Sequence, residues 1–342
     1  MLHSTHLSRE LFTYLTYPFS AGREAVILFF ILSGFVLSIP AINSRAQTYP
    51  VFITRRIFRI YFPYIVALLF AVWGAVAFHG AQTESQWLNG PWSAPITLHS
   101  IMQHIIFVGQ FDQGQLNPPI WSLVYEMRIS FLFPILCALC LSITPGQSLI
   151  MAVFMSGASI AVGNMVPTLN GQHPIIDTLH YSSLFVVGIY LARQRGVISK
   201  KFSEMSFGAR TATCVLSVLL YVYAGVLWQG LARRVSELDL YNSADWLTAA
   251  GATGLIVFSL NSATFHRVLL WPPIHALGKM SYSVYLLHFI IMLALVHLLY
   301  GKVPLLIIFG ACLVAVIAAS WTFYRLVEVP FINLGRKLSG HF

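Results

Sequence analysis

An all-α, polytopic transmembrane helical bundle is the fold class this sequence predicts, and three observations predict it. The chain has 342 residues, of which 57% are hydrophobic and only 9% charged, against roughly 25% charged in an ordinary globular domain. Its mean hydropathy is +0.75. The apolar residues fall in long unbroken runs near bilayer length, a spanning helix needing ~20 of them, and they do not alternate as the strands of a membrane barrel do. The formal net charge of +9 would suit a phosphate-rich partner. The basic residues, however, sit in short loops between apolar runs, so membrane topology accounts for them and no nucleic-acid partner is expected.

Nine candidate spans follow in order: about 25–42, 60–79, 119–143, 148–167, 179–194, 210–230, 244–262, 279–300 and 303–327. The run at 179–194 is the shortest. Residues 99–110 are apolar but too short to span, and read as an interfacial or re-entrant helix. No internal repeat is visible, which counts against an inverted-repeat transporter. The whole chain, 1–342, is expected to form one membrane domain.

Lys and Arg orient the spans, because they accumulate in cytoplasmic loops. With the loop 43–59 inside, alternation places Arg45, Arg55, Arg56, Arg59, Arg193, Arg195, Lys200, Lys201, Arg210, Arg267, Lys279, Arg325, Arg336 and Lys337 inside. Five fall outside, Arg9, Arg23, Arg233, Arg234 and Lys302, and Arg128 lies within a span. The loop 80–118 has Glu84 and Asp112 but no Lys or Arg, as an outside loop should. The C-terminus is then cytoplasmic, and nine spans leave the N-terminus outside although no signal peptide leads there. Residues 1–23 are therefore expected to be the tail of a truncated first helix plus an outside loop, making nine spans of a ten-span plan. An in-frame apolar run upstream of the start codon is the observation that would test this.

Glu126, in Pro118-Pro-Ile-Trp-Ser-Leu-Val-Tyr-Glu-Met-Arg128, is the one carboxylate that this reading places well inside a span. An ionisable side chain there costs about 2.5–3.5 kcal/mol on insertion scales, so function is its default reading. The alternative is a structural bond to a backbone group or Tyr hydroxyl. Arg128 is two residues on and faces another way on a helix, so it pairs with another helix or snorkels. Arg55, Arg56 and Arg59 precede a span at helical spacings; they either anchor to lipid phosphates or clamp a phosphorylated cytosolic ligand through bidentate forks. His3 and His6 share a face at i, i+3. His99 and His104 are five apart, a poor metal spacing, and no metal site is expected. A histidine near the membrane surface can act as a general base. Ser281, Tyr285 and His288, at i, i+4 and i+7, form one polar stripe on an apolar helix. Ser33-Gly34 reads as a close helix contact and not as a nucleophile, and the buried-type pair Cys137 and Cys140 as core. Glu328-Val-Pro330 reads as the end of the last span.

These blocks resemble the acyltransferase-3 family of integral membrane O-acyltransferases. The matching stretches are Phe29-Phe-x-Leu-Ser-Gly-Phe35, Arg55-Arg-x-x-Arg59, Trp121-Ser-Leu-x-x-Glu126, Gly278-Lys-x-Ser-Tyr-Ser-x-Tyr-Leu-x-His288 and Glu328-x-Pro-Phe331, in the family's order. The resemblance implies a ten-helix protein of the bacterial cytoplasmic membrane. It implies transfer of an acyl group, usually acetyl from acetyl-CoA as co-substrate with no bound cofactor, to a hydroxyl of an envelope carbohydrate, a glycolipid or a secreted small molecule. His3 matches the family's essential first-helix histidine, with His6 in reserve. The Arg that stands before that histidine in the family would precede Met1, and the acid before the Phe-Phe pair is replaced by Ile27. Glu126 would orient the histidine, and Arg55, Arg56 and Arg59 would take the donor phosphates. Trp121, Ser122, Arg128, Lys279, Ser281, Tyr282, Tyr285 and His288 would be supporting polar residues, with Trp121 and the 80–118 loop on the acceptor side. Two other readings stand beside this one: a transporter or flippase for an envelope glycolipid, and an inactive truncated relative.

Overall fold

A computed structural model describes residues 22–78, 90–109, 111–166, 175–235 and 241–340. Among them every element is helical, as a lipid environment requires of chains that must satisfy their own backbone groups. In chain order these are α1 (Gly22–Ile42), α2 (Tyr49–Arg56), α3 (Phe62–Ala77), α4 (Leu98–Ile106), α5 (Trp121–Ser142), α6 (Pro145–Gly163) and α7 (Ile176–Glu204). Then come α8 (Phe207–Val235), α9 (Asp245–Asn261), α10 (Ala263–Leu269), α11 (Pro272–Lys279), α12 (Ser281–Leu299), α13 (Leu305–Phe323) and α14 (Val329–Ser339). Local signals set several starts. Thr97 and Ser100 form a reciprocal capping box on α4, and Thr144 with Gln147 does the same on α6, where Pro145 occupies the first turn; such boxes satisfy donors that a helix start leaves orphaned.

Every predicted run falls on a helix, with two corrections. Eight helical segments among the described residues are long and apolar enough to cross a membrane, not nine. The run at 179–194 lies within α7, a 29-residue helix that is long enough to span at 1.5 Å per residue but carries Arg193, Arg195, Lys200 and Lys201 at its end. The second correction concerns Pro330. It does not end the last span: a π-helical turn, Tyr324–Glu328, runs into α14, and Pro330 sits in the first turn of that helix. A first-turn proline lacks only an N–H that has no intrahelical partner anyway.

The chain divides into two compact units. One holds the residues up to Ala46 together with Phe133–Leu269, the other Gln47–Leu132 with Leu270–Phe342. In the first, α1 and α7 touch backbone to backbone: a Cβ on Gly34 would overlap the Phe185 backbone, and one on Gly188 would overlap the Ile31 carbonyl. The Ser33-Gly34 pair thus marks a helix contact, as its small size suggested. Phe30 fills the space beside it, 5.2 Å from the Tyr181 ring and 5.6 Å from that of Phe185. Gly251 and Gly254 give α9 the same closeness to Ser217 and Tyr221 of α8. Cys137 and Cys140 are buried free thiols.

The second unit packs α3, α5, α12 and the segment after α4 around Tyr64, Phe107, Leu116, Ile120, Val124 and Leu286. Phe107 ends α4 with φ +65°, a left-handed conformation in which glycine is usual. Its ring is fully buried, 4.2 Å from that of Tyr64. That burial holds the strained turn, which sends the chain back toward α5.

Candidate active site

The second unit gathers most of the predicted site residues. A π-helical turn, Ile57–Tyr61, separates α2 from α3; such turns are frequent at functional sites. It begins directly after Arg56 and contains Arg59. Arg55 and Arg59 are exposed, whereas Arg56 is buried. Arg56 Nη2 meets Glu126 Oε1 at 2.5 Å, with side chains 9% and 3% exposed. Its Nε donates to Ser130 Oγ at 3.0 Å, and Ser130 donates to the Glu126 carbonyl at 2.7 Å. The partner of Glu126 is therefore a residue assigned from sequence to the donor clamp. A buried charge persists only when paired and hydrogen-bonded, and here the pair ties α2 to α5. Arg55 Nε donates to Ser339 Oγ at 2.8 Å.

Tyr282 stands at the start of α12, within electrostatic reach of Glu126, Glu328, Arg56 and Arg59. Its hydroxyl donates to the Ile60 carbonyl at 2.7 Å, inside the first π turn. The neighbouring Ser283 donates to Glu328 Oε2 at 2.6 Å, at the end of the second. The first turn of α12 thus holds both π turns. Ser122 and Tyr285 share a hydrogen bond of 2.7 Å, and the Tyr285 hydroxyl also donates to the Pro119 carbonyl. His288 is half-buried, with Nδ1 on the Val284 and Tyr285 carbonyls of its own helix. Ser281 and Lys279 are exposed. The predicted stripe therefore divides: Tyr285 enters the network, while Ser281 does not. Trp121 lies edge-on to Tyr125 at 6.0 Å. Arg128 caps backbone, donating to the carbonyls of Val108 at 2.8 Å and Gly109 at 2.6 Å. It is separate from the Glu126 pair, as its spacing required. His99 is exposed and His104 buried, so they do not act as a pair. His3 and His6 lie outside the described residues.

The first unit holds a polar cluster that sequence reasoning missed. Glu24, Asp177, Asp245 and, in the second unit, Glu328 are all buried, so Glu126 is not alone among carboxylates within the bundle. Arg23 grips Asp245 with two forks, Nε to Oδ1 at 2.8 Å and Nη2 to Oδ2 at 2.7 Å, and Nη2 also reaches Asn242 Oδ1 at 3.0 Å. His180 Nε2 lies 3.1 Å from Asp245 Oδ2, and its Nδ1 is 2.8 Å from Ser156 Oγ, which accepts from Trp246 Nε1 at 2.8 Å. Since Trp can only donate, the serine hydroxyl proton is free to point at Nδ1, leaving Nε2–H for the aspartate. The cluster ties four helices, α1, α6, α7 and α9. Its signal was an acid or base in the first turn of three helix starts, Arg23, Asp177 and Asp245, which resemble ordinary end charges. Among the described residues no group of three His, Cys, Asp or Glu side chains could hold a metal ion.

Comparison with known proteins gives this network a context. Residues 1–325 match the profile of the Acyltransferase domain family. The O-acetyltransferases OatA of Staphylococcus aureus strains NCTC 8325, COL and MRSA252 are 22% identical over 340 aligned residues, covering 93% of this chain and 54% of theirs. The chain thus spans about half the length of these curated relatives. No solved structure matches it. With the family profile covering nearly the whole sequence, and with helices apolar enough to cross a bilayer, this chain is an integral membrane protein belonging to the acyltransferase-3 family.

Proposed function

We propose that the protein moves an acyl group, acetyl in the first instance, from acyl-CoA to a hydroxyl of an envelope carbohydrate or glycolipid. It would do so in the bacterial cytoplasmic membrane, with its C-terminus on the cytoplasmic side. The observation that carries this reading is the division of labour in the arginine cluster. Arg56 is turned inward and neutralised by Glu126, while Arg55 and Arg59 stay exposed on the same segment. Two exposed guanidinium groups beside a membrane face are suited to the phosphates of coenzyme A, and the buried pair fixes the helix that presents them.

In the reaction, His3 takes the proton of the acceptor hydroxyl as its oxygen attacks the thioester carbonyl, with His6 in reserve. The new C–O bond forms, the C–S bond breaks, and the imidazolium returns the proton to the departing thiolate. Glu126, already anchored by Arg56, orients that imidazole. Positioned base catalysis of this kind contributes about 10²–10⁴-fold. Trp121, Ser122, Tyr282 and Tyr285 form the polar lining.

Membranes carrying the full reading frame, supplied with acetyl-CoA labelled in the acetyl group, test the scheme. Label should pass to carbohydrate, whereas a flippase would move substrate without consuming the donor. The double change His3→Ala with His6→Ala should abolish transfer; retained activity removes the base assignment. Arg55→Ala and Arg59→Ala should each raise the donor KM several-fold and leave the acceptor KM in place. Equal effects on both substrates would dismiss the clamp.

A further inference from the structure

Six buried side-chain atoms find no hydrogen-bond partner among the described residues, and four of them lie between His104 and Asn117: His104 Nε2, both amide atoms of Gln113, and Asn117 Oδ1. Native structures leave few such atoms, and four of them within one short segment call for an explanation. The three residues are 1%, 6% and 3% exposed. We propose that His104, Gln113 and Asn117 form a subsite for the hydroxyl groups of the acceptor, a neutral polyhydroxylated ligand of carbohydrate class. This rests on the acyl-transfer reading above.

The bonds these residues do make fix which way the unpaired atoms are used. His104 Nδ1 is 2.8 Å from the Ser100 carbonyl, which can only accept, so Nδ1 carries the proton and Nε2 presents a lone pair. Burial holds the His104 pKa below the ordinary histidine value, outweighing the Ser100 carbonyl and the Asp112 carboxylate, so the ring is neutral at pH 7. Asn117 Nδ2 donates to the Leu286 carbonyl at 3.0 Å, which sets its amide and leaves Oδ1 as an acceptor. Gln113 adds one acceptor and one donor. The set therefore offers three acceptors to one donor.

A ligand that suits it must bring O–H donors. Phosphates and carboxylates, which only accept when ionised, would meet three acceptors and are disfavoured; so is an acyl chain, which would leave every one of these atoms unpaired. Sugar hydroxyls both donate and accept. Charge agrees, because the sequence from 80 to 118 contains no Lys or Arg. The segment is also firmly held. Tyr61 and Tyr64 donate to the Ile105 and His104 carbonyls at 2.7 and 3.0 Å, and Trp92 Nε1 donates to the Leu116 carbonyl at 2.9 Å. Arg128 holds the Val108 and Gly109 carbonyls. A site that discriminates between substrates by hydroxyl groups needs such fixed partners.

The test uses the full chain in lipid nanodiscs, with acetyl-CoA as donor and methyl glucoside, methyl galactoside and methyl N-acetylglucosaminide as acceptors. Their fully O-methylated forms keep the oxygens but lack every hydroxyl donor. Gln113→Leu and His104→Phe should each raise the glycoside KM about tenfold, as expected for one lost hydrogen bond to a bound ligand. Gln113→Leu should also keep or raise the thermal midpoint, because an apolar isostere removes unpaired polar atoms. An unchanged acceptor KM alongside that stability would overturn the subsite. If the wild type transfers acetyl to none of the glycosides, the acyl-transfer reading fails separately. The subsite then stands only if glycosides, and not their O-methylated forms, raise the thermal midpoint of the wild type and not of Gln113→Leu; no such shift overturns it.

Discussion

Removing Glu126 alone is expected to cost this protein far more than removing Glu126 and Arg56 together. Carboxylate and guanidinium meet at 2.5 Å, and with side chains 3% and 9% exposed neither can reach solvent when the other is deleted. Loss of one partner from such a pair costs about 3–5 kcal/mol, whereas exchanging both for apolar side chains of similar volume is often neutral. Glu126→Leu should fall in that range, cushioned only by the bond from Arg56 Nε to Ser130. Arg56→Met should cost a similar amount by stranding the carboxylate. The double variant should be more stable than either single one, giving a coupling energy of about 2–3 kcal/mol or more in the cycle. Reversible unfolding in mixed micelles, followed by tryptophan fluorescence, measures all four proteins. A double variant whose loss equals the sum of the single losses would refute the pairing, as would a Glu126→Leu protein within about 0.5 kcal/mol of the wild type. Transfer activity adds a second readout: if Glu126 also orients the base, the double variant regains stability but not turnover.

Three further outcomes are expected. Asp245→Asn leaves Arg23 with a neutral partner and weakens the bond to His180; because the Arg23 side chain is 19% exposed, the loss should be about 2 kcal/mol, below the full buried-pair figure, as read by thermal unfolding. Gly188→Leu should prevent α1 and α7 from packing, since even a Cβ overlaps the Ile31 carbonyl, so no folded protein should elute as a single species from detergent gel filtration; a normal elution profile would contradict the close contact. The depressed pKa of His104 predicts a pH dependence of defined sign. The unfolded chain takes up the proton first, near 6.5, so stability falls as pH drops below that value and levels off beneath the folded pKa. His104→Phe should flatten this part of the profile, and an unchanged profile would show that His104 does not contribute to it.

The span pattern was legible because lipid imposes it residue by residue: long apolar runs have few other uses, and each became a helix. The loop arginines were equally legible as a group, but not one by one. Arg55, Arg56 and Arg59 share a run in sequence, and only the π turn that begins after Arg56 and the carboxylate on α5 decide that the middle one turns inward. The burial of other carboxylates was hidden for a related reason. Asp177, Asp245 and Glu328 stand at or near helix ends, where charges are ordinarily solvated, and tertiary packing buries them. Ser283 lay outside the i, i+4, i+7 stripe drawn through Ser281 and Tyr285, because its partner Glu328 occupies a π turn that periodicity does not announce. The unpaired atoms of His104, Gln113 and Asn117 have no sequence signature at all; they are defined by which bonds their neighbours do not supply.

The two π turns change what a small edit to this gene would mean. Each residue of an α-helix advances the chain by about 100°, so deleting one residue within Ile57–Tyr61 would restore regular winding and rotate α2 by that angle relative to α3. Arg56 would swing away from Glu126, and Arg55 and Arg59 would no longer hold their present directions relative to each other. The same holds for Tyr324–Glu328 and the carboxylate that Ser283 holds. In these two places length is orientation. When relatives of this chain are compared, a single-residue gap there marks a turned helix face and not a shorter loop.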